Sequence, residues 1–211
     1  MKIHTLVFSP FQVNTYIISD PSGECVIIDP ACYFPEEQKR LTDYISSEGL
    51  IPVRFVLTHC HLDHVFGSAF VQNTYNLDPI AHRDEVSNNN NATHAAQLYG
   101  VEMKEPAPII AFVDENTTIR FGNSELKIFH IPGHTAGSLV YYNEEDQFAI
   151  VGDVLFDGSI GRTDLPGGNF DALISGIKEK LFKLHNNTKV YPGHGLPTTI
   201  GKEKSSNPFL R

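Results

Sequence analysis

Thr58-His59-Cys60-His61-Leu62-Asp63-His64 places three imidazoles and a carboxylate within six residues, His59 to His64. The stretch follows Val53-Arg54-Phe55-Val56-Leu57, whose apolar and β-branched residues read as a strand running through Thr58. Ligating side chains delivered at a strand end with chelate spacing point to a bound metal rather than to a His-rich surface loop. Imidazole and carboxylate together suit borderline divalent ions, Zn first, with Fe and Mn as alternatives. If the chain leaves the strand extended, His59 and His61 share one side and Cys60 faces away, as a packed thiol. Asp63 and His64, on a tightening backbone, then face a second ion.

Three further candidates stand at similar strand ends. His134 lies in Ile131-Pro132-Gly133-His134-Thr135-Ala136-Gly137-Ser138, Asp153 in Val151-Gly152-Asp153, and His194 in Tyr191-Pro192-Gly193-His194-Gly195. Each follows a β-type run and is preceded by glycine, which lets the backbone turn sharply and aim the side chain back over the sheet edge. Singly each is a weak signal. Together with the first motif they complete two coordination spheres.

The pattern predicts strands at residues 5–8, 15–18, 25–30, 53–58, 79–82, 118–121, 125–131, 138–142, 148–151 and 189–191, and helices at 35–49, 65–75 and 170–184. Phe170, Leu173, Ile174, Ile177, Leu181 and Leu184 give the last helix its apolar stripe. Residues 83–100 contain four consecutive asparagines, Asn88 to Asn91, and read as two short helical pieces around a loop. The order lacks strict βαβ alternation and predicts two sheets packed face to face with helices outside, in one α/β domain.

Composition narrows the function. An apolar content of 41% allows a sizeable core, and a charged fraction of 19% argues against a disordered chain. A net charge of −9, with no basic cluster longer than Lys39-Arg40, argues against a nucleic-acid partner. No apolar run approaches the roughly 18 residues of a membrane span, and no signal segment opens the chain. Three cysteines without a CxxC pair do not make a disulfide framework, so a cytoplasmic setting is expected.

The H-x-H-x-D-H run, followed by P-G-H-T-x-G-S, G-D and P-G-H-G, resembles the metallo-β-lactamase superfamily. Gly161-Arg162-Thr163-Asp164 and the tail from Thr198 to Leu210 resemble its short glyoxalase II-like (hydroxyacylglutathione hydrolase-like) members. The resemblance runs from Phe11 to the terminus. It implies a four-layer αββα sandwich spanning residues 1–211, without the helical C-terminal domain of full-length glyoxalase II. It also implies a site at one open edge of the sheets. By matching positions, His59, His61 and His134 would hold one divalent ion and Asp63, His64 and His194 a second, with Asp153 shared.

A water shared by two such ions has its pKa drawn down toward about 7, which implies attack on a carbonyl by a metal-bridging hydroxide. Asp63 would orient that nucleophile as a catalytic residue. The motifs supply no separate acid for the leaving group, which favours a thiolate, whose thiol pKa is about 8.5. The expected activity is therefore hydrolysis of a small-molecule thioester or ester, S-lactoylglutathione being the type. Arg162 and Asp164 read as an ion pair bracing the Asp153 loop, with substrate contact as the alternative. His4, His94, His130 and His185 match no ligand pattern; Tyr141 and Tyr142, of which at most one would face the site, read as core, His82 as a surface residue with pocket lining as the alternative, and Phe209 and Leu210 as docking the tail.

Two rival activities use the same residues. Persulfide dioxygenases resemble the chain in the Gly161–Asp164 stretch and hold one iron on residues matching His59, His134 and Asp153. A lactonase, or less readily a β-lactamase, would apply the hydrolytic centre to a cyclic ester or amide.

Overall fold

The computed structural model describes residues 1–211. A first six-stranded sheet runs in chain order: β1 (Lys2–Phe8), β2 (Val13–Ser19), β3 (Glu24–Ile28), β4 (Ile51–Val56), β5 (Pro79–Ala81) and β6 (Ala111–Phe112). Its first three strands pair antiparallel and its last three join in parallel. The parallel steps carry helices in their crossovers: α1 (Pro35–Ser47), α2 (Ser68–Tyr75) and α3 (Val86–Leu98).

The second sheet begins with an antiparallel meander of β7 (Thr118–Phe121), β8 (Ser124–His130), β9 (Leu139–Asn143) and β10 (Phe148–Gly152). A small hairpin follows, β11 (Leu155–Phe156) with β12 (Ser159–Ile160). After it, α4 (Phe170–Glu179) returns the chain to β13 (Lys189–Pro192), which pairs in parallel with β10. β14 (Thr198–Thr199) closes the edge and α5 (Ile200–Ser206) covers it.

Three apolar clusters define four layers. Tyr16, Ile18, Val26, Ile28 and Val56 of the first sheet meet Ile119, Phe121, Leu126, Leu139, Tyr141 and Ile150 of the second. The alternate residues Ile17, Cys25, Ile27 and Phe55 face outward onto Leu41 and Ile45 of α1 and Ala92 and Ala96 of α3. On the other side Val140, Ala149, Val151 and Val190 meet Leu173, Ile177 and Ile200. The period of two along each strand thus feeds both faces, which is why every residue of β2 is buried. The result is the αββα sandwich. Tyr141 also joins the sheets through a hydrogen bond, its hydroxyl donating to Leu57 O at 2.7 Å.

Several expectations need correction. Residues 83–100 form a 3₁₀ turn running into one continuous helix, not two pieces around a loop. Asparagine's poor helix propensity is offset locally. Asn89 Nδ2 donates to Ala107 O, Asn91 Nδ2 to Ser87 O and Asn88 Nδ2 to Glu85 Oε2, while Ala92 and Ala96 are buried. The helix expected from Val65 starts only at Ser68, after a 3₁₀ turn at Leu62–His64. The tail docks through Leu210, 5% exposed, and not through Phe209, 47% exposed. Strands β6, β11, β12 and β14, at two residues each, are too short to leave a periodic signal. No helix is long and apolar enough to cross a membrane.

Candidate metal centre

The loop after β4 leads Thr58 and His59 into an extended His61, and the 3₁₀ turn then carries Asp63 and His64. Cys60, between them, packs in the helix-side core, and its backbone N–H donates to Glu85 Oε2 at 2.7 Å. Burial pushes the Cys60 thiol well up, so it stays protonated. The loops after β8, β10 and β13 bring His134, Asp153 and His194 to the same edge. Gly152 has φ +50, and a Cβ at Gly193 would lie 2.1 Å from Asp153 Oδ1, so the backbone needs glycine at both places.

All seven residues singled out by spacing come together. Ligating atoms of His59, His61 and His134 lie within 4.8 Å of one another, and so do those of Asp63, His64 and His194. Asp153 reaches both groups, with Oδ1 3.5 Å from His64 Nε2 and Oδ2 3.7 Å from His134 Nε2 and 3.5 Å from His194 Nε2.

The imidazoles are oriented from behind. His134 Nδ1 donates to Arg162 O at 2.8 Å and His194 Nδ1 to Phe11 O at 3.0 Å. His64 Nδ1 donates to Asp29 Oδ2 at 3.0 Å, and His59 Nδ1 lies 3.1 Å from Thr58 Oγ1. A carbonyl or carboxylate only accepts, so Nδ1 of His134, His194 and His64 carries a proton and Nε2 is the nitrogen left facing inward. Such anchoring is what metal-ligating histidines require. Two of the inward atoms, His64 Nε2 and Asp153 Oδ1, are buried without a hydrogen bond, and His59 Nε2 faces His134 Nε2 at 3.2 Å. Two lone pairs opposed at that distance, beside an orphaned carboxylate oxygen, form a donor set that fits divalent cations.

Electrostatics divides the cluster. Burial, reinforced by neighbouring imidazoles, lowers the pKa of His59 and takes His61 down to about 4, keeping both neutral. For His64 burial opposes protonation, but the Asp153 and Asp63 carboxylates outweigh it and raise the pKa. His194 is likewise raised against its burial, by its bond to Asp63 and the charge of Asp153. The carboxyls of Asp63 and Asp153 are held low: burial works against them, and the charge of His64 prevails.

The cluster floors a cavity of about 740 Å³ lined by residues including Phe11, His61, Asp63, Asn88, Asn91, Leu98, Tyr99, Arg162 and His194. Arg162 lines the cavity and forks onto Asp164, Nε to Oδ1 at 2.8 Å and Nη2 to Oδ2 at 2.9 Å. The contact of this loop with the cluster is the Arg162 carbonyl, not its guanidinium. Tyr141 and Tyr142 are buried in the sheets and do not line the cavity. His82 is half-buried, stacked on His130 at 4.2 Å between ring centroids, rather than a plain surface residue.

Two contributors escaped the motif reading. Asp29, buried at the end of β3, accepts from Thr58 N–H at 2.7 Å and Thr58 Oγ1 at 2.6 Å as well as from His64. A carboxylate closing the apolar run Cys25-Val26-Ile27-Ile28 was its signal. Glu85, fully buried, ties the first motif to the His134 loop, accepting from Cys60 N–H and from Gly137 N–H at 2.9 Å. Nothing in its polar surroundings marked it.

The family model for the metallo-beta-lactamase superfamily matches residues 8–194. A Bacillus subtilis (strain 168) protein described as the probable metallo-hydrolase YqgX is 35% identical over 213 residues, covering 100% of this chain and 98% of its own length. The hydroxyacylglutathione hydrolase GloC of Haemophilus influenzae is 34% identical over 212 residues, with coverage of 100% and 98%. Among solved structures, BLEG-1 B3 metallo-beta-lactamase superposes with a TM-score of 0.91 at 33% identity, covering 99% of each chain. TTHA1623 in a di-iron-bound form superposes with a TM-score of 0.89 at 35% identity, covering 98% of this chain and 100% of that one.

Proposed function

Because the chain belongs to the metallo-β-lactamase superfamily, we propose that it is a dinuclear metallohydrolase that cleaves thioesters in the manner of a hydroxyacylglutathione hydrolase. The observation that carries this reading is the inward convergence of Nε2 atoms whose Nδ1 partners are fixed by protein acceptors. In the proposed assignment His59, His61 and His134 hold one ion, Asp63, His64 and His194 the other, and Asp153 both. Two divalent ions bound there supply a water ionised near neutral pH and a Lewis acid for the substrate carbonyl. Zn fits the donor set, and the di-iron relative supports Fe equally.

The residues then divide the work. Asp63 Oδ2, 3.3 Å from His194 Nε2, is placed to orient the nucleophile and take its proton. His59 and His61, kept neutral by burial and neighbouring imidazoles, each retain one unprotonated ring nitrogen able to ligate an ion. Hydrolysis forms a C–O bond from water and breaks the C–S bond, leaving a carboxylic acid and a thiol. His94 and Tyr99 line the cavity outside the ligand set, and a thiolate, whose thiol pKa is about 8.5, needs less help from such groups than an amide nitrogen does.

The test is metal analysis of the purified protein together with S-lactoylglutathione hydrolysis on the same sample. Two ions per chain with turnover is the expected result. One iron, no hydrolysis and oxygen uptake on glutathione persulfide would transfer the protein to the oxygenase class. Two ions with cleavage of a β-lactam but of no thioester would favour the activity named for BLEG-1.

A further inference from the structure

Glu85 ends the 3₁₀ turn that leads into α3 and is fully buried, while its neighbours Arg83 and Asp84 are exposed. A carboxylate taken out of water needs donors, and three N–H groups supply them. Oε1 accepts from Gly137 N–H at 2.9 Å, and Oε2 accepts from Cys60 N–H at 2.7 Å and from Asn88 Nδ2 at 3.0 Å. The approach to Gly137 is close: a Cβ there would lie 2.8 Å from both Glu85 Cγ and Glu85 Oε1.

The two backbone donors belong to the segments that present His59, His61 and His134. Cys60 stands between the first two, and Gly137 lies in the turn that begins at His134. That turn is braced within itself. Gly133 N–H donates to Thr135 O at 2.9 Å and Ile131 N–H to Ser138 O at 2.9 Å, and the hydroxyls of Thr135 and Ser138 lie 2.7 Å apart. A shift imposed at Gly137 therefore carries to His134. On the sheet side the same two segments are joined by Leu139 N–H donating to Thr58 O at 2.8 Å, and on the helix side they are joined by Glu85. Two of the remaining imidazoles are anchored elsewhere, His64 Nδ1 on Asp29 and His194 Nδ1 on Phe11 O.

We propose that Glu85 is a positioning residue for one ion only. It sets the spacing of His59 and His61 from His134, and so the affinity of the ion they hold, without acting on the ion assigned to Asp63, His64 and His194. This rests on the two-ion assignment above and adds that the two ions have separate supports.

Glu85→Gln keeps the size of the side chain but turns an NH₂ group toward either Gly137 N–H or the Cys60 and Asn88 donors, so donor faces donor in both orientations. The experiment measures Zn affinity by competition with a chromophoric chelator in two single-ion backgrounds. In His194→Ala, which leaves the site of His59, His61 and His134, Glu85→Gln should weaken binding about 10- to 100-fold. In His61→Ala, which leaves the other site, the change should stay within about threefold. Equal loss in the two backgrounds would make Glu85 a general brace of the fold and overturn the inference, as would no loss in either; the metallohydrolase reading would stand. Should Glu85→Gln fail to fold, Gly137→Ala decides, because its methyl displaces Glu85 while keeping the carboxylate. The same one-sided loss is expected from it, and a two-sided loss or none overturns the inference. A wild-type chain that binds fewer than two ions, or a background that binds none, would remove the two-ion assignment and the inference together.

Discussion

Asp29 Oδ2 and His64 Nδ1 lie 3.0 Å apart, and both side chains are buried. The carboxylate also holds Thr58 by its backbone N–H and its hydroxyl, so one side chain fixes both the start and the end of the histidine motif. Asp29→Asn keeps the shape but sets an NH₂ group against these donors. Metal affinity should fall about 10- to 100-fold, read by competition with a chromophoric chelator. Unchanged affinity would reduce Asp29 to a packing role.

Asp153→Ala removes the carboxylate whose oxygens lie within 3.7 Å of Nε2 atoms in both groups of imidazoles. Elemental analysis should then find at least one ion fewer per chain, and turnover should nearly vanish. Retention of both ions and of activity would sink the shared-ligand assignment.

Gly193→Ala tests the same centre without replacing a ligand. The added methyl would meet Asp153 Oδ1 at 2.1 Å and His64 Cε1 at 2.7 Å, so one of them must move. The expected outcome is native far-UV circular dichroism with weakened binding of the ion assigned to Asp63, His64 and His194. Wild-type metal content and affinity would show that the turn relaxes instead.

His82 has its pKa lowered first by burial and then by the stacked His130, against the opposing charges of Asp84, Glu85 and Asp114. A pKa depressed on folding means that stability is present above the unfolded value, about 6.5, and is lost as pH falls through the folded one. An NMR titration should place His82 below that reference, and His130→Ala should move it upward. A titration that His130→Ala leaves in place would show that the stack does not set it.

Much of this centre was legible because chelation is local. His59 to His64 carry their spacing within one loop, and His134, Asp153 and His194 each follow a strand and a glycine. The sandwich was legible for a related reason: Tyr16 and Ile18 face one layer while Ile17 faces the other, leaving an unbroken apolar run. Asp29 and Glu85 were not legible, because their partners are 29 and 35 residues away for Asp29, and 25 and 52 for Glu85. Helix α3 was expected as two pieces around a loop because asparagine's intrinsic preference was weighed without the carbonyl of Ala107 and the carboxylate of Glu85, which tertiary structure supplies.

The strands behind the seven converging residues belong to different sheets: His59 to His64 follow β4 of the first, and His134, Asp153 and His194 follow β8, β10 and β13 of the second. On the proposed assignment neither half of the chain closes a coordination sphere alone, since His59 and His61 await His134, and Asp63 and His64 await His194. The complete set of ligands is thereby available only once the two sheets have met. Free energy released on capture then favours the assembled pair over separated halves, so the ions act as rivets across the seam as well as reagents.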